Sequence, residues 1–298
     1  MQLNIYQVDA FTDVAFGGNP AGVVPDASEL SEADMRRVAR EMNLAETAFI
    51  FPKDKNSFRV RFFTPVCEID LCGHATIGSF YSLAKKGYIT PIDDGIKRVY
   101  QETRVGNLLV EIYYKDGEVY KVMMEQGRPK SLGDVSQVDR LLKALRIDKE
   151  HIGTSFRKAK PEIISTGLPD IMLPIKDKET LYNLKVNYEA LEELSQELGI
   201  LGVHAFCLPD SQSDIVYTRN FAPLVGINEE SATGTANGAL LYYLKKNNLL
   251  ENNEIISVQG ETMNRTSYIH CKVEKDGDGY MVKVGGESII VIEGIINI

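Results

Sequence analysis

Hydrophobic and polar positions alternate along much of this chain, and a few stretches with helical spacing interrupt the alternation. Residues 3–10 alternate as a strand, Phe16-Gly17-Gly18-Asn19-Pro20 is a turn, and residues 21–24 resume extended chain. Ser31-Glu32-Ala33-Asp34 has the form of a capping box. It precedes Met35, Val38, Ala39 and Met42 on one helical face, with Asn43 as the stop. Strands are predicted over 47–51 and 58–63, and 75–86 reads as a helix with Ile77, Phe80, Tyr81 and Ala84 available for burial. Residues 108–114 and 119–124 flank Lys115-Asp116-Gly117-Glu118, a hairpin signal.

After Gly127 the pattern predicts a helix over 138–145 and strands near 162–165 and 171–175. A further helix carries Leu191, Leu194 and Leu198 between an Asn187 cap and Gly199. Extended stretches at 203–208 and 215–220 lead into another turn and helix. From Ile255 the chain is strand-rich, with Lys275-Asp276-Gly277-Asp278-Gly279 as a hairpin turn. The shift in pattern places a domain boundary near Gly127, giving an N-terminal half of 1–126 plus a returning strand at 287–298 and a C-terminal half of 127–286.

One pattern occurs twice. Arg61, Phe63 and Pro65 recur as Arg219, Phe221 and Pro223, and Asp70, Gly78, Lys85 and Lys86 are answered by Glu230, Gly238, Lys245 and Lys246. Each copy runs from an extended stretch through a polar, glycine-containing turn into an apolar helix. A duplicated strand-turn-helix predicts two similar halves facing one cleft, each offering a helix N-terminus, where an anion is favoured.

Composition narrows the function. A chain of 298 residues with 44% hydrophobic content is long enough for two cores. A net charge of -9 argues against a general nucleic-acid binder, which needs a basic face. The start of the chain lacks a basic region followed by an apolar run, and no apolar stretch approaches the roughly 20 residues of a membrane span, so a cytoplasmic protein off the membrane is expected. Four cysteines in such a chain are too sparse for a disulfide framework.

Glu46 lies between a helix stop and a strand, among Leu44, Ala45, Ala48 and Phe49. Desolvation there is expected to raise its proton affinity and suit it to acid/base work; the alternative is a solvated glutamate at a helix end. His74 opens the first repeated helix, where the dipole is expected to keep it neutral, as a proton relay or as a structural histidine bonded to a carbonyl. The turn before the second helix offers Glu230, Thr233, Gly234 and Thr235, either as helix caps or as groups that hold a ligand carboxylate. The histidines and cysteines lack zinc-ligand spacing, so no metal site is expected, and Gly17-Gly18-Asn19-Pro20-Ala21-Gly22 lacks the spacing of a nucleotide fingerprint.

Phe16 to Ala21, Asn43-Leu44-Ala45-Glu46-Thr47-Ala48-Phe49 and Phe63-Thr64-Pro65 through Cys72-Gly73-His74-Ala75-Thr76 carry a resemblance. So do Ser165-Thr166-Gly167-Leu168 and Arg219 through Ala236 in the second half. In order, and over nearly the whole chain, these blocks resemble the phenazine-biosynthesis PhzF-like family. The resemblance implies a diaminopimelate-epimerase-like fold of the α/β (α+β) class. Two pseudo-symmetric domains each wrap a mixed sheet around a central helix, with the active site between them. It implies a cofactor-free isomerase, a homodimer, and acid/base chemistry on a small carboxylate-bearing metabolite such as a cyclic phenazine precursor. Glu46 matches the family's proton-carrying glutamate and His74 its supporting histidine, while Glu230 and Thr235 stand where the family has aspartate and serine. Asn19, Gly73, Ala75, Thr233 and Gly234 are the expected substrate-binding positions. Glu230, Thr235 and Ala45, which replaces an expected serine, change the shape of the pocket.

Two rival functions remain at this stage: an amino-acid racemase or epimerase on the same fold, and an idle member that only binds a metabolite. Two-base epimerases of this fold use one thiol from each half. Here Cys72 occupies the first place and Ala232 the second, so Cys72 is expected to be a small packing residue.

Overall fold

The computed structural model describes residues 1–277 and 279–298, so Asp278 of the predicted hairpin turn lies outside the described residues. The chain forms two units, Met1–Glu125 with Gly285–Ile298, and Gln126–Val284.

The N-terminal unit contains β1 (Gln2–Ala10), β2 (Asn19–Val24), α1 (Glu32–Met42), β3 (Glu46–Pro52), β4 (Ser57–Phe63) and β5 (Glu68–Ile69). It continues with α2 (Gly73–Lys85), β6 (Gly95–Thr103), β7 (Gly106–Lys115) and β8 (Glu118–Glu125). The C-terminal unit runs through β9 (Lys130–Asp134), α3 (Val138–Leu145), β10 (Glu162–Ser165), β11 (Pro169–Pro174), α4 (Lys178–Tyr182) and α5 (Tyr188–Leu198). Then come β12 (Gly202–Cys207), β13 (Ile215–Ala222), β14 (Ile227–Glu230), α6 (Gly234–Lys246), β15 (Glu254–Gln259), β16 (Ser267–Asp276) and β17 (Gly279–Gly286). The final strand, β18 (Ser288–Asn297), returns to β1.

Strand pairing carries the repeat further than the sequence does. In the first unit β1 pairs antiparallel with β18 and β2, β2 parallel with β3, β3 antiparallel with β4, β4 parallel with β6, and β6 antiparallel with β7. The second unit runs through the same series, from β10 with β9 and β11 to β15 with β16. Short β5 and β14 lie antiparallel on β4 and β13.

Each sheet wraps one helix. α2 packs against β1, β2, β3, β7 and β8, and ten of its thirteen residues are buried. α6 packs against β10, β11, β12, β15 and β16, with nine of thirteen buried. Both helices carry a glycine at the closest approach: a Cβ on Gly78 would stand 3.3 Å from the Val8 side chain, and one on Gly238 3.3 Å from Val282 and Val284. The outer faces are covered separately. α1 sets Met35, Val38 and Ala39 on Phe49 and Phe63, whereas helices α3 to α5 set Leu141, Leu181, Leu191 and Leu194 on Ile171, Val203 and Phe221.

Local signals account for the ends of these elements. The Ser31 hydroxyl accepts from Asp34 N–H and Asn43 closes α1 in the left-handed conformation, while Asn187 caps α5 and Gly199 ends it. Periodicity missed β6 entirely. Only Val99 and Gln101 of its nine residues are buried, so little apolar alternation is left to detect.

The duplicated arginine and phenylalanine have a structural use. Arg61 donates to Glu68 through Nε and Nη2 at 2.7 and 2.6 Å, and Arg219 does the same to Glu229 at 2.8 and 2.7 Å. Each guanidinium also sits over the phenylalanine two residues on, Phe63 or Phe221. This clamp ties the short strand before each central helix to its neighbour.

Backbone proximity leaves several glycines no room for a side chain, Gly202 and Gly285 most of all. A Cβ on Gly202 would fall 2.0 Å from the Phe221 carbonyl oxygen, so Gly202→Ala is expected to cost about 3 kcal/mol in urea unfolding. Gly78→Ala meets only a side chain at 3.3 Å and gains helix propensity, so its change should stay within about 1 kcal/mol.

Candidate active site

The first turn of α2 collects the polar residues of its unit. Cys72 is the N-cap residue but makes no cap bond, and the first amide with a carbonyl partner is that of Thr76, donating to Cys72 O at 3.0 Å. The amides of Gly73, His74 and Ala75 therefore lie at the positive end of the helix without backbone carbonyl partners, that of Ala75 turned toward the Cys72 sulfur. A Cβ on Gly73 would meet nothing within 4 Å among the described residues, so the space before this end is open.

Glu46, the first residue of β3, reaches that end. Its Oε2 lies 3.1 Å from His74 Nε2, with the two side chains 15% and 6% exposed. The contact is an ion pair rather than an aligned hydrogen bond, since Oε2 has no such bond among the described residues. Asn19, the first residue of β2, sets its amide group 3.3 Å from the other ring nitrogen, Nδ1. That amide can present oxygen to a protonated ring or nitrogen to a neutral one. Cys72 Sγ lies 3.4 Å from the same Nδ1. Asn19, Glu46, Gly73, His74 and Ala75 thus come together, although the Ala75 side chain is fully buried and only its backbone faces the site.

Two electrostatic expectations are reversed. Burial works to raise the proton affinity of Glu46, but the positive charge of His74, with a smaller pull from the Cys72 thiol, outweighs it and holds the carboxyl below its ordinary range. Burial likewise works to lower His74, yet its partners hold the ring well above the usual histidine value. Cys72 cannot be the decisive one, because burial first and the Glu46 charge second push its thiol up and keep it neutral at neutral pH. The Glu46 carboxylate holds the proton on His74. The helix dipole, which argued for a neutral ring, is the weaker influence next to a full charge at 3.1 Å.

Glu46, Cys72 and His74 also place three ligand-type atoms within 4.8 Å of one another. Sequence spacing gave no sign of this trio, because Glu46 comes from a separate element. A soft divalent metal there would have to displace protons from both His74 and Cys72.

In the C-terminal unit the equivalent helix start is organised around Gln259 of β15. Its Oε1 accepts from Thr233 N–H at 3.3 Å and Asn237 Nδ2 at 2.8 Å, and its Nε2 donates to Glu230 O at 2.8 Å. Thr233 holds the N-cap position of α6 without capping it; its hydroxyl donates to Glu230 Oε2. Capping therefore does not explain this turn. Gly234 and Thr235 are the first two residues of α6, and the Thr235 carbonyl accepts from the Thr166 hydroxyl. His204 is fully buried between Asn237 and Asn220, and burial lowers it to about 4, so it stays neutral. Sequence reading missed His204, Asn237, Gln259 and the Cys72 contact. Gln101 of β6 was missed as well, and its Oε1 accepts from Thr76 in the first unit.

A family model for phenazine biosynthesis-like proteins (PhzC-PhzF) matches residues 8–294. The chain belongs to that family. It is 38% identical to an uncharacterized isomerase of Clostridium acetobutylicum over 97% of this chain and 96% of that protein. Its structure resembles that of a phenazine biosynthesis protein of the PhzF family from Bacillus anthracis, with a TM-score of 0.86, 27% identity and full coverage of both chains. A hydroxyproline epimerase from Agrobacterium vitis shares the fold, at a TM-score of 0.64 and 12% identity, covering 99% of this chain and 91% of that one. The phenazine biosynthesis-like fold of two sheet-wrapped helices is the one the motifs implied. Among the described residues no helix is long and apolar enough to cross a membrane.

The ion pair has a pH signature. The Glu46 contribution to stability is fully present above the unfolded value of 4.5 and is lost as pH falls through its lower folded value. The His74 contribution is fully present below 6.5 and is lost as pH rises through its higher folded value. Both operate fully between those values. Glu46→Gln should move the His74 imidazole titration, followed by NMR, to lower pH; an unmoved titration would refute the pairing.

Proposed function

We propose that this isomerase, without a cofactor, moves a proton between two carbons of a small carboxylate-bearing metabolite, cyclic molecules included, with Glu46 as the proton carrier. The observation that carries the proposal is the buried Glu46–His74 pair at 3.1 Å, set at the open start of α2. Amides at a helix start stabilise negative charge, so Gly73, His74 and Ala75 suit either a substrate carboxylate or the anion formed when a proton leaves carbon.

The chemistry follows from the direction of the shifts. In the resting state Glu46 is a carboxylate and accepts the proton from a substrate carbon. Once protonated, it faces the His74 cation, which makes it a stronger acid than an isolated glutamic acid and favours return of that proton to a second carbon of the same molecule. Substrate and product have the same atoms, and Glu46 ends as it began. The pairing weakens Glu46 as a base, so the first step leans on stabilisation of the developing anion by the helix amides.

The racemase reading lacks its second thiol. The N-cap place that Cys72 holds on α2 is held on α6 by Thr233, one residue on from the Ala232 that the sequence offset picks out, and a threonine hydroxyl is no thiol; the Cys72 thiol itself resists ionisation. Cys72 is nonetheless more than a packing residue, since its sulfur touches the His74 ring.

Glu46→Gln keeps the shape and removes the proton carrier. Turnover of a confirmed substrate should collapse while its affinity stays within roughly tenfold, about 1.4 kcal/mol. A Gln variant that turns over at the wild-type rate would remove Glu46 from this role. Cys72→Ala should retain most turnover and shift only its pH dependence; loss of all solvent-deuterium exchange into a free amino acid would restore the racemase reading instead.

A further inference from the structure

The start of α2 has a second chemistry open to it. Glu46, Cys72 and His74 bring a carboxylate oxygen, a sulfur and a ring nitrogen within 4.8 Å of one another. Among the described residues no other three histidine, cysteine or carboxyl side chains are grouped in this way. The separations are those of a coordination sphere. A tetrahedral ion bonded to nitrogen and oxygen at about 2.0 Å and to sulfur at about 2.3 Å sets those atoms roughly 3.3–3.6 Å apart. Here His74 Nε2 lies 3.1 Å from Glu46 Oε2 and 3.9 Å from Cys72 Sγ.

The surroundings suit an ion as well. Glu46 is the first residue of β3, and Cys72 and His74 flank Gly73, the first residue of α2, so regular backbone holds all three ligands. Asn19 stands 3.3 Å from the other ring nitrogen, Nδ1. With an ion on Nε2, the Asn19 amide oxygen accepts the Nδ1 hydrogen and fixes the plane of the ring. A Cβ on Gly73 would meet nothing within 4 Å, which leaves room for an ion to enter and for water as a fourth ligand.

The C-terminal unit cannot build the same set. Phe63 faces Thr47 as Phe221 faces Val203, so Gly202 stands in the row position of Glu46, with the buried Asp170 opposite it on β11. Thr233 holds the N-cap place that Cys72 holds on α2. One ion per chain is the stoichiometry that follows.

We propose that Glu46, Cys72 and His74 bind one soft divalent cation, zinc above all, and that the bound ion switches the site off. Thiolate and imidazole select zinc or cobalt over magnesium and calcium, which prefer oxygen ligands. On binding, Cys72 gives up its thiol proton and His74 its Nε2 proton to solvent. The two charges of the ion replace those two protons, so the net charge of the group is unchanged. The ion occupies the carboxylate that would accept a proton from substrate, and is an inhibitor here rather than a cofactor. Inhibition rests on the isomerase reading; the cation site does not.

Cobalt(II) and zinc titrations of the full chain test it. Cobalt should produce a thiolate-to-metal charge-transfer band that saturates at one ion per chain, and zinc should erase it while magnesium does not. Cys72→Ser, which keeps the size of the side chain, should abolish the band. Cys67→Ser, which removes the exposed thiol, should leave it intact. In calorimetry Glu46→Gln should weaken zinc at least about tenfold, and Asn19→Ala about tenfold through loss of its hold on the ring. No saturable band, a band that follows Cys67 rather than Cys72, or zinc affinity indifferent to Glu46→Gln would each overturn the site. None of these readouts uses turnover. With a confirmed substrate, zinc should stop the wild type and a chelator restore it, and turnover by the zinc-loaded chain would overturn the inhibition. A Glu46→Gln chain that loses zinc affinity but keeps turnover would instead remove Glu46 as proton carrier and leave the cation site standing.

Discussion

A helix wrapped by its own sheet buries the polar side chains of its first turn and must give them partners, and both units are organised around that constraint. The solution is the same in each. A polar side chain in the first turn, Thr76 or Asn237, bonds back to the N-cap carbonyl and across to a buried glutamine, Gln101 or Gln259. Glu46 and Glu230 then lie near the helix starts, where negative charge is favoured. The polar clusters that make candidate sites are thus consequences of burying the helices, and the unsatisfied amides beyond them are what a ligand can use.

Burial and charge compete at every titrating group in these clusters, and counter-ions decide the outcome. Burial alone shifts a group by up to a few pK units, about 1.4 kcal/mol each. A single opposite charge at about 4 Å is worth about 4 kcal/mol at an effective dielectric constant near 20, enough to offset or reverse the shift. Glu46 and His74 have each other, so the acid goes down and the base up. Among the described residues Asp170 and His204 have no counter-ion, so the acid goes up and the base down. Four groups follow one rule.

That rule explains what the sequence could and could not reveal. Helix ends were legible at Ser31, Asn43, Asn187 and Gly199, because caps depend on residues a few positions apart. The residues that meet at the start of α2 all lay within the blocks that the sequence singled out. Their charge states were not legible, since the neighbours of Glu46 along the chain are apolar while its decisive neighbour is 28 residues away in sequence (74 − 46). Asp170 sat in an unremarked strand, and Gln101 in a strand with too little apolar alternation to be recognised.

The duplication itself preserves scaffold rather than chemistry. Its matched arginines and phenylalanines build two equivalent clamps, and its matched glycines let two helices approach their sheets. Register then shows where the copies diverge: Glu46 corresponds to Gly202, Ala21 to Asp170, and Ala48 to His204. Gly202 is crowded by the Phe221 carbonyl, so the second unit has no room for a side chain where the first has its glutamate. Its row carboxyl, Asp170, stands one strand over, with no cation beside it among the described residues. The same architecture therefore lets a cation pull one carboxyl below its ordinary range in the first unit and lets burial push another up in the second.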